Sequence, residues 1–153
     1  MLRVEDRRLE APITLEAARP QIVRFLTYDQ VRDLLSSGDE QVVDARAAGR
    51  FEGTVPEPRA GMRSGHMPGA RSLPFTNLVE DGGLKSRDGI LRVFEAAGVD
   101  AHQRLTASCG SGVTAAVLAL AMSRVGLAGA AVYDGSWSEW GSRADTPVVT
   151  GPA

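Results

Sequence analysis

The one cysteine of this 153-residue chain, Cys109, opens the run Cys109-Gly110-Ser111-Gly112-Val113-Thr114. A short apolar run, Leu105 to Ser108, reads as a strand before it, and the apolar stretch Val113 to Val125 reads as a helix after it. A thiol between a strand end and a helix N-terminus sits where backbone N–H groups converge. That placement favours a thiolate or a sulfur-borne anion. Glycine tolerates positive φ, so Gly110 and Gly112 are both expected to let the backbone curl and to turn the amides of residues 110–114 toward one centre. The helix adds roughly half a positive charge at that end. Ser111 and Thr114 add hydroxyl donors, and a lowered thiol pKa is expected. Two glycines and two hydroxyl residues are poor core packing, which sets this loop apart from a buried, inert cysteine. Protein tyrosine phosphatases carry a phosphate-clamping arginine at the sixth position after their cysteine. Ala115 stands there in this chain, which argues against phosphate-ester hydrolysis and for a smaller anion such as a persulfide.

The loop must be held by strands and helices, and the pattern supplies both. Thr27 caps a predicted helix, with Gln30 completing a capping box, Val31, Leu34 and Leu35 as its apolar stripe and Gly38 as its stop. Gln41 to Ala45 reads as a buried strand that carries Asp44 near its end, with a short helix through Ala48. From Glu52 to Pro68 the chain is rich in Gly, Pro and charge and reads as a long loop of the functional kind. A second strand is expected at Ala70 to Leu73, a helical turn at Phe75 to Leu78, and a helix capped by Ser86 and closed by Gly98. The Val113 to Val125 helix is apolar on nearly all sides and is expected to be buried. Ala130 to Tyr133 reads as a strand, Asp134-Gly135 as a turn, Ser136 to Trp140 as a last short helix, and the tail from Pro147 as frayed. Strands alternating with helices imply an α/β fold with a mostly parallel central sheet flanked by helices. Ligands bind beyond the carboxyl ends of such strands, where Cys109 and Asp44 fall.

Composition narrows the function class. Seventeen basic and nineteen acidic side chains give a net charge of −2, without the basic excess of a nucleic-acid binder. One cysteine and two histidines form neither a disulfide framework nor a zinc cluster, so no metal is expected. No run reaches the ~18 apolar residues of a membrane span, and the charged N-terminus is unlike a secretory signal. A cytoplasmic location is therefore expected. Residues 1–24 read as an N-terminal arm and residues 25–153 as the domain.

The loop Cys109-Gly-Ser-Gly-Val-Thr114 resembles that of the 3-mercaptopyruvate sulfurtransferases, members of the rhodanese superfamily. Thiosulfate sulfurtransferases resemble it too, but carry a basic pair where this chain has Gly110 and Ser111. Further blocks fall in the same order: Val43-Asp44-Ala45-Arg46, Gly49-Arg50-Phe51, Pro56-Glu57-Pro58-Arg59, Gly65 to Ala70 and Asp134 to Trp140. The resemblance implies a rhodanese-like single domain in which Cys109 attacks the sulfur of 3-mercaptopyruvate, releases pyruvate and keeps a persulfide. A thiol such as thioredoxin, or cyanide, then takes the outer sulfur, with no cofactor. Arg50 and Arg59 bind the substrate by the same resemblance, and an arginine fork matches a carboxylate. Asp44, His66, His102, Trp137 and Trp140 are read as structural or exposed.

Such sulfurtransferases pair two rhodanese-like domains, and this chain resembles the second, catalytic one. Residues 1–24 resemble the interdomain linker. In the family an Asp and a His of the first domain approach the serine at the position of Ser111, and no residue here takes either role. A second rhodanese-like domain or subunit is thus a possible partner. Thiosulfate sulfurtransfer, a persulfide relay fed by another enzyme, and a non-catalytic docking domain are the alternatives.

Overall fold

The computed structural model describes residues 23–127 and 130–153. Five parallel strands form the central sheet: β1 (Arg24–Leu26), β2 (Glu40–Asp44), β3 (Arg71–Ser72), β6 (Arg104–Ser108) and β7 (Ala131–Tyr133), in the order β1-β7-β6-β2-β3. The helices are α1 (Tyr28–Ser37), α2 (Ala48–Glu52), α3 (Arg87–Ala96), α4 (Ala115–Arg124) and α5 (Ser136–Trp140). A two-stranded hairpin, β4 (Val79–Glu80) and β5 (Gly83–Leu84), lies between a 3-10 turn at Phe75–Leu78 and α3.

Alternation along the strands divides the core into two layers. Val43 of β2, Ala107 of β6 and Val132 of β7 pack with Ile90 and Phe94 of α3 and Leu118 and Met122 of α4. Val42, Ala131 and Tyr133 point the other way, onto Val31 and Leu34 of α1 and Trp137 and Trp140 of α5. Successive side chains of a strand face opposite sides, so a sheet buried on both faces needs apolar residues at both parities. The two indoles are buried, and each N–H reaches a carbonyl: Trp137 that of Arg63 at 2.9 Å and Trp140 that of Pro147 at 2.9 Å.

The α1 start is as the sequence predicts. Thr27 Oγ1 accepts from the Gln30 amide, and Gln30 Oε1 accepts from the Thr27 amide at 2.9 Å. Ser86 caps α3 in the same way, accepting from the Gly89 amide at 3.2 Å. Four details differ from expectation. The helix expected through Ala48 instead begins there. Helix α4 starts at Ala115 rather than Val113, because Gly112 adopts φ +87° and the turn must complete before helical geometry begins. That helix is also not wholly buried, since Leu120 is 59% exposed.

The fourth is the tail, which is pinned rather than frayed. His66 and Val149 exchange backbone hydrogen bonds at 2.9 and 3.0 Å, and the Gly151 amide donates to Glu52 O at 2.9 Å. Backbone partners on the 52–68 loop hold this segment where composition alone suggested solvent. Of the expected N-terminal arm, residues 1–22 lie outside the described residues, and Arg24 pairs in register with Ala131.

Candidate active site

Strands β2 and β6 end side by side, with Asp44 in register with Ser108. The residue after Ser108 is Cys109, so the thiol stands beyond the carboxyl edge of the sheet, where a parallel α/β sheet leaves a crevice. Helix α5 holds the loop from behind. The Trp137 amide donates to Cys109 O at 2.9 Å, the Ser138 amide to Gly110 O at 2.8 Å, and the Ser138 hydroxyl to the same oxygen at 2.7 Å. The Cys109 amide donates to Ser136 Oγ at 3.1 Å.

The cysteine itself is 1% exposed. The Gly112 amide points at its sulfur, N to Sγ 3.0 Å. Burial pushes the thiol pKa up. The Thr114 hydroxyl, the amides of Ala115 and Ser111 and the Ser136 hydroxyl oppose it, and together they leave the thiol below its ordinary value. Hydrogen bonds that favour the charged form thus outweigh desolvation. The hydroxyl expected from Ser111 is replaced by that of Ser136. Ser111 instead gives its amide, and its side chain is exposed. Val113, 74% exposed, sits on the rim.

The two glycines have different reasons to be glycine. Gly112 has φ +87°, and a Cβ there would lie 2.8 Å from Asp134 O. Gly110 has no positive φ, contrary to the sequence expectation. A Cβ on Gly110 would instead lie 3.0 Å from Nη2 of Arg50. The residue is small because an arginine lies across it.

A cavity of about 580 Å³ opens over the sulfur, lined by Arg50, Glu57, Arg59, Met62, Cys109 and Thr114 among others. Arg50 comes from α2, Glu57 and Arg59 from the long loop. The structure therefore brings Cys109, its loop, Arg50 and Arg59 to one pocket, with Arg59 exposed at the mouth. Arg50 is not free-standing: its Nη2 donates to Glu57 Oε2 at 2.5 Å and its Nε to Glu57 Oε1 at 3.2 Å. Glu57 in turn accepts from Nη1 of Arg46 at 2.8 Å. The Arg46 guanidinium also grips Asp44, donates to Gly65 O at 2.8 Å and lies 4.3 Å from the Trp137 ring centroid.

Sequence reasoning assigned no role to Arg46, Glu57 and Ser136. All three lay inside recognised blocks, but neither a buried ion pair nor a long-range hydroxyl contact has a spacing signature when its partners come from different elements. His66 is structural, as read: its Nδ1 is 2.9 Å from Phe51 O and its ring stacks on Phe51 at 3.7 Å. His102 is exposed and precedes β6, at the opposite end of that strand from Cys109. Among the described residues no group of His, Cys, Asp and Glu is arranged to hold a metal ion, and no helix is long and apolar enough to cross a membrane.

Comparison with known proteins agrees with the fold. A match to the Rhodanese-like domain spans residues 27–143. The chain is 48% identical over 122 residues to the 3-mercaptopyruvate sulfurtransferase of Escherichia coli K12, covering 78% of this chain and 43% of that protein. It is 46% identical over 144 residues to the thiosulfate sulfurtransferase of Rattus norvegicus, covering 87% of this chain and 48% of that one. The crystal structure of a 3-mercaptopyruvate sulfotransferase from Escherichia coli superposes with a TM-score of 0.64 at 39% identity, over 79% of this chain and 44% of that one. The chain spans less than half the length of these relatives. With a parallel sheet ending in a cysteine cradle, and with that match over most of its length, this chain belongs to the rhodanese-like domain family.

Proposed function

We propose that this domain is a sulfurtransferase that takes sulfur from 3-mercaptopyruvate onto Cys109. The observation that carries this reading is one pocket with a cysteine at its floor, its thiol held below the ordinary pKa by hydrogen bonds, and two arginines, Arg50 and Arg59, in its wall. In the first half-reaction the Cys109 thiolate attacks the donor sulfur. An S–S bond forms and the donor C–S bond breaks, and its electron pair leaves as the enolate of pyruvate. The proton of the donor thiol ends on that enolate, so Cys109 holds a persulfide anion. The amides that lower the thiol pKa face the persulfide as well, which stabilises the product of this step. In the second half-reaction an acceptor thiol such as thioredoxin, or cyanide, takes the outer sulfur and Cys109 leaves as thiolate. The two steps give ping-pong kinetics.

Arg50 and Arg59 hold the donor carboxylate and carbonyl, a match of planar forks to a planar anion. With Gly110 and Ser111 in the loop no basic side chain follows the cysteine, which favours 3-mercaptopyruvate over thiosulfate as donor. The reading places the protein in the cytoplasm, where a lone thiol stays reduced. It leaves room for a second rhodanese-like domain or subunit against the open pocket mouth.

The test is steady-state pyruvate release from 3-mercaptopyruvate, run beside thiosulfate turnover and followed by intact mass. The expected result is pyruvate release with a gain of one sulfur at Cys109. Faster turnover of thiosulfate would reassign the donor. A persulfide that forms only from a partner's persulfide would make the domain a relay. No persulfide with any donor would leave only a docking role.

A further inference from the structure

Four charged side chains run from the sheet to the pocket with alternating sign: Asp44, Arg46, Glu57 and Arg50. The first three are at most 2% exposed at the side chain, and Arg50 is 27% exposed. Arg46 is fixed from below, by Asp44 through Nε and Nη2 and by Gly65 O. Its remaining nitrogen, Nη1, goes to Glu57. A buried carboxylate needs such a partner to remain charged. Glu57 then closes one edge of the Arg50 guanidinium, formed by Nε and Nη2. Nη1 of Arg50 has no such bond to Glu57; it lies 3.8 Å, and Nη2 3.0 Å, from where a Gly110 Cβ would stand.

By charge alone, Glu57 is the wrong residue beside a site for anions, because it repels them. Its benefit must be geometric. A solvent-facing arginine samples many rotamers, and fixing it at a ligand beforehand removes an entropic cost from binding. We infer that Glu57 is a positioning residue for donor binding: it locks Arg50 across Gly110 so that the guanidinium edge it leaves open faces the anion held at Cys109. The inference rests on the reading that Arg50 binds the anionic donor.

Charge and geometry predict opposite signs, so one ratio separates them. Cys109 is alkylated by anionic iodoacetate and by neutral iodoacetamide. The ratio of the two rates reports how well the site holds a carboxylate at Sγ, and it requires no sulfur transfer. Glu57→Gln removes a negative charge, so a purely electrostatic role predicts a higher ratio. The positioning role predicts a ratio lower by about five-fold or more, the loss of one charged hydrogen-bond pair. It also predicts an unchanged pH midpoint for iodoacetamide, because the sulfur cradle is untouched. Placed on Arg50→Gln, the same change produces no further fall. Glu57→Asp keeps a charge opposite Arg46 in case the glutamine variant does not fold. Its shorter stem cannot span both arginines, and the same direction is expected. A ratio that stays level or rises in the folded variants, or a fall that persists without Arg50, overturns the inference. An unchanged ratio in Arg50→Gln alone removes the anion-binding reading beneath it, and absent pyruvate release removes only the sulfur-donor assignment.

Discussion

Gly110 and Gly112, two residues apart, separate the two tasks of the loop that Cys109 opens. Gly112 shapes the backbone that hydrogen-bonds the sulfur, whereas Gly110 makes room for Arg50. Gly112→Ala puts a side chain at φ +87° and against Asp134 O, and costs about 1–2 kcal/mol at that position. The thiol pKa is then expected to rise toward its ordinary value, read as an upward move in the pH midpoint of iodoacetamide alkylation. Gly110→Ala meets only the far end of an arginine, so the midpoint stays and KM for 3-mercaptopyruvate increases. In the native protein the midpoint itself is expected below that of a free thiol. The sign for stability follows from the same direction. Between the lowered folded pKa and the ordinary unfolded value the folded chain binds fewer protons, so this contribution grows as pH rises through that window. It is lost as pH falls through the folded pKa. Cys109 was legible because its residue types and spacing carry the chemistry locally. Ser136 was not, since its contact with Cys109 exists only after β6 and β7 pair and bring residues 27 apart together.

Elements with their own chemical punctuation were the easiest to read. The Thr27–Gln30 box and Gly38 at φ +74° mark both ends of α1 within the sequence itself. Thr27→Ala is expected to cost about 1 kcal/mol and to lower Tm by about 2–4 °C, with Cys109 reactivity unchanged. The β4–β5 hairpin escaped notice although its turn, Asp81-Gly82, is a strong hairpin dipeptide with positive φ at both positions. Strands of two residues leave no alternation to recognise beside it. The β1 strand is hidden for a similar reason: three residues, of which Phe25 is 68% exposed, give no run to detect. Helix α4 was misjudged at its start because apolar composition does not register a turn set by one glycine's φ.

At the scale of the whole molecule, the long 52–68 loop carries Glu57 and Arg59 and is fastened at several points. Arg63 donates to Gly141 O and Thr146 O, and the His66–Val149 pair ties the loop to the tail. Deleting residues 148–153 removes three backbone hydrogen bonds to this loop. The expected loss is about 2–3 kcal/mol, seen as a Tm lower by about 5–10 °C. Donor KM should rise as well, because Glu57 and Arg59 lose their support. A deletion variant with native Tm and KM would show that the loop stands by itself. The alternating row from Asp44 to Arg50 has one more consequence, in how the pocket responds to ionic strength. Its four charges cancel, and among the described charged residues of the pocket wall only Arg59 stands outside that cancellation. A donor in solution therefore meets a nearly neutral wall with a single cation at the mouth, on a chain whose net charge is −2. Long-range steering is weak, and capture depends on hydrogen bonds formed at contact. Changing the salt from about 0.05 to about 0.5 M, which shortens the screening length about three-fold, should then move donor KM by no more than about three-fold. The row of buried charges makes this pocket an anion site that salt barely tunes.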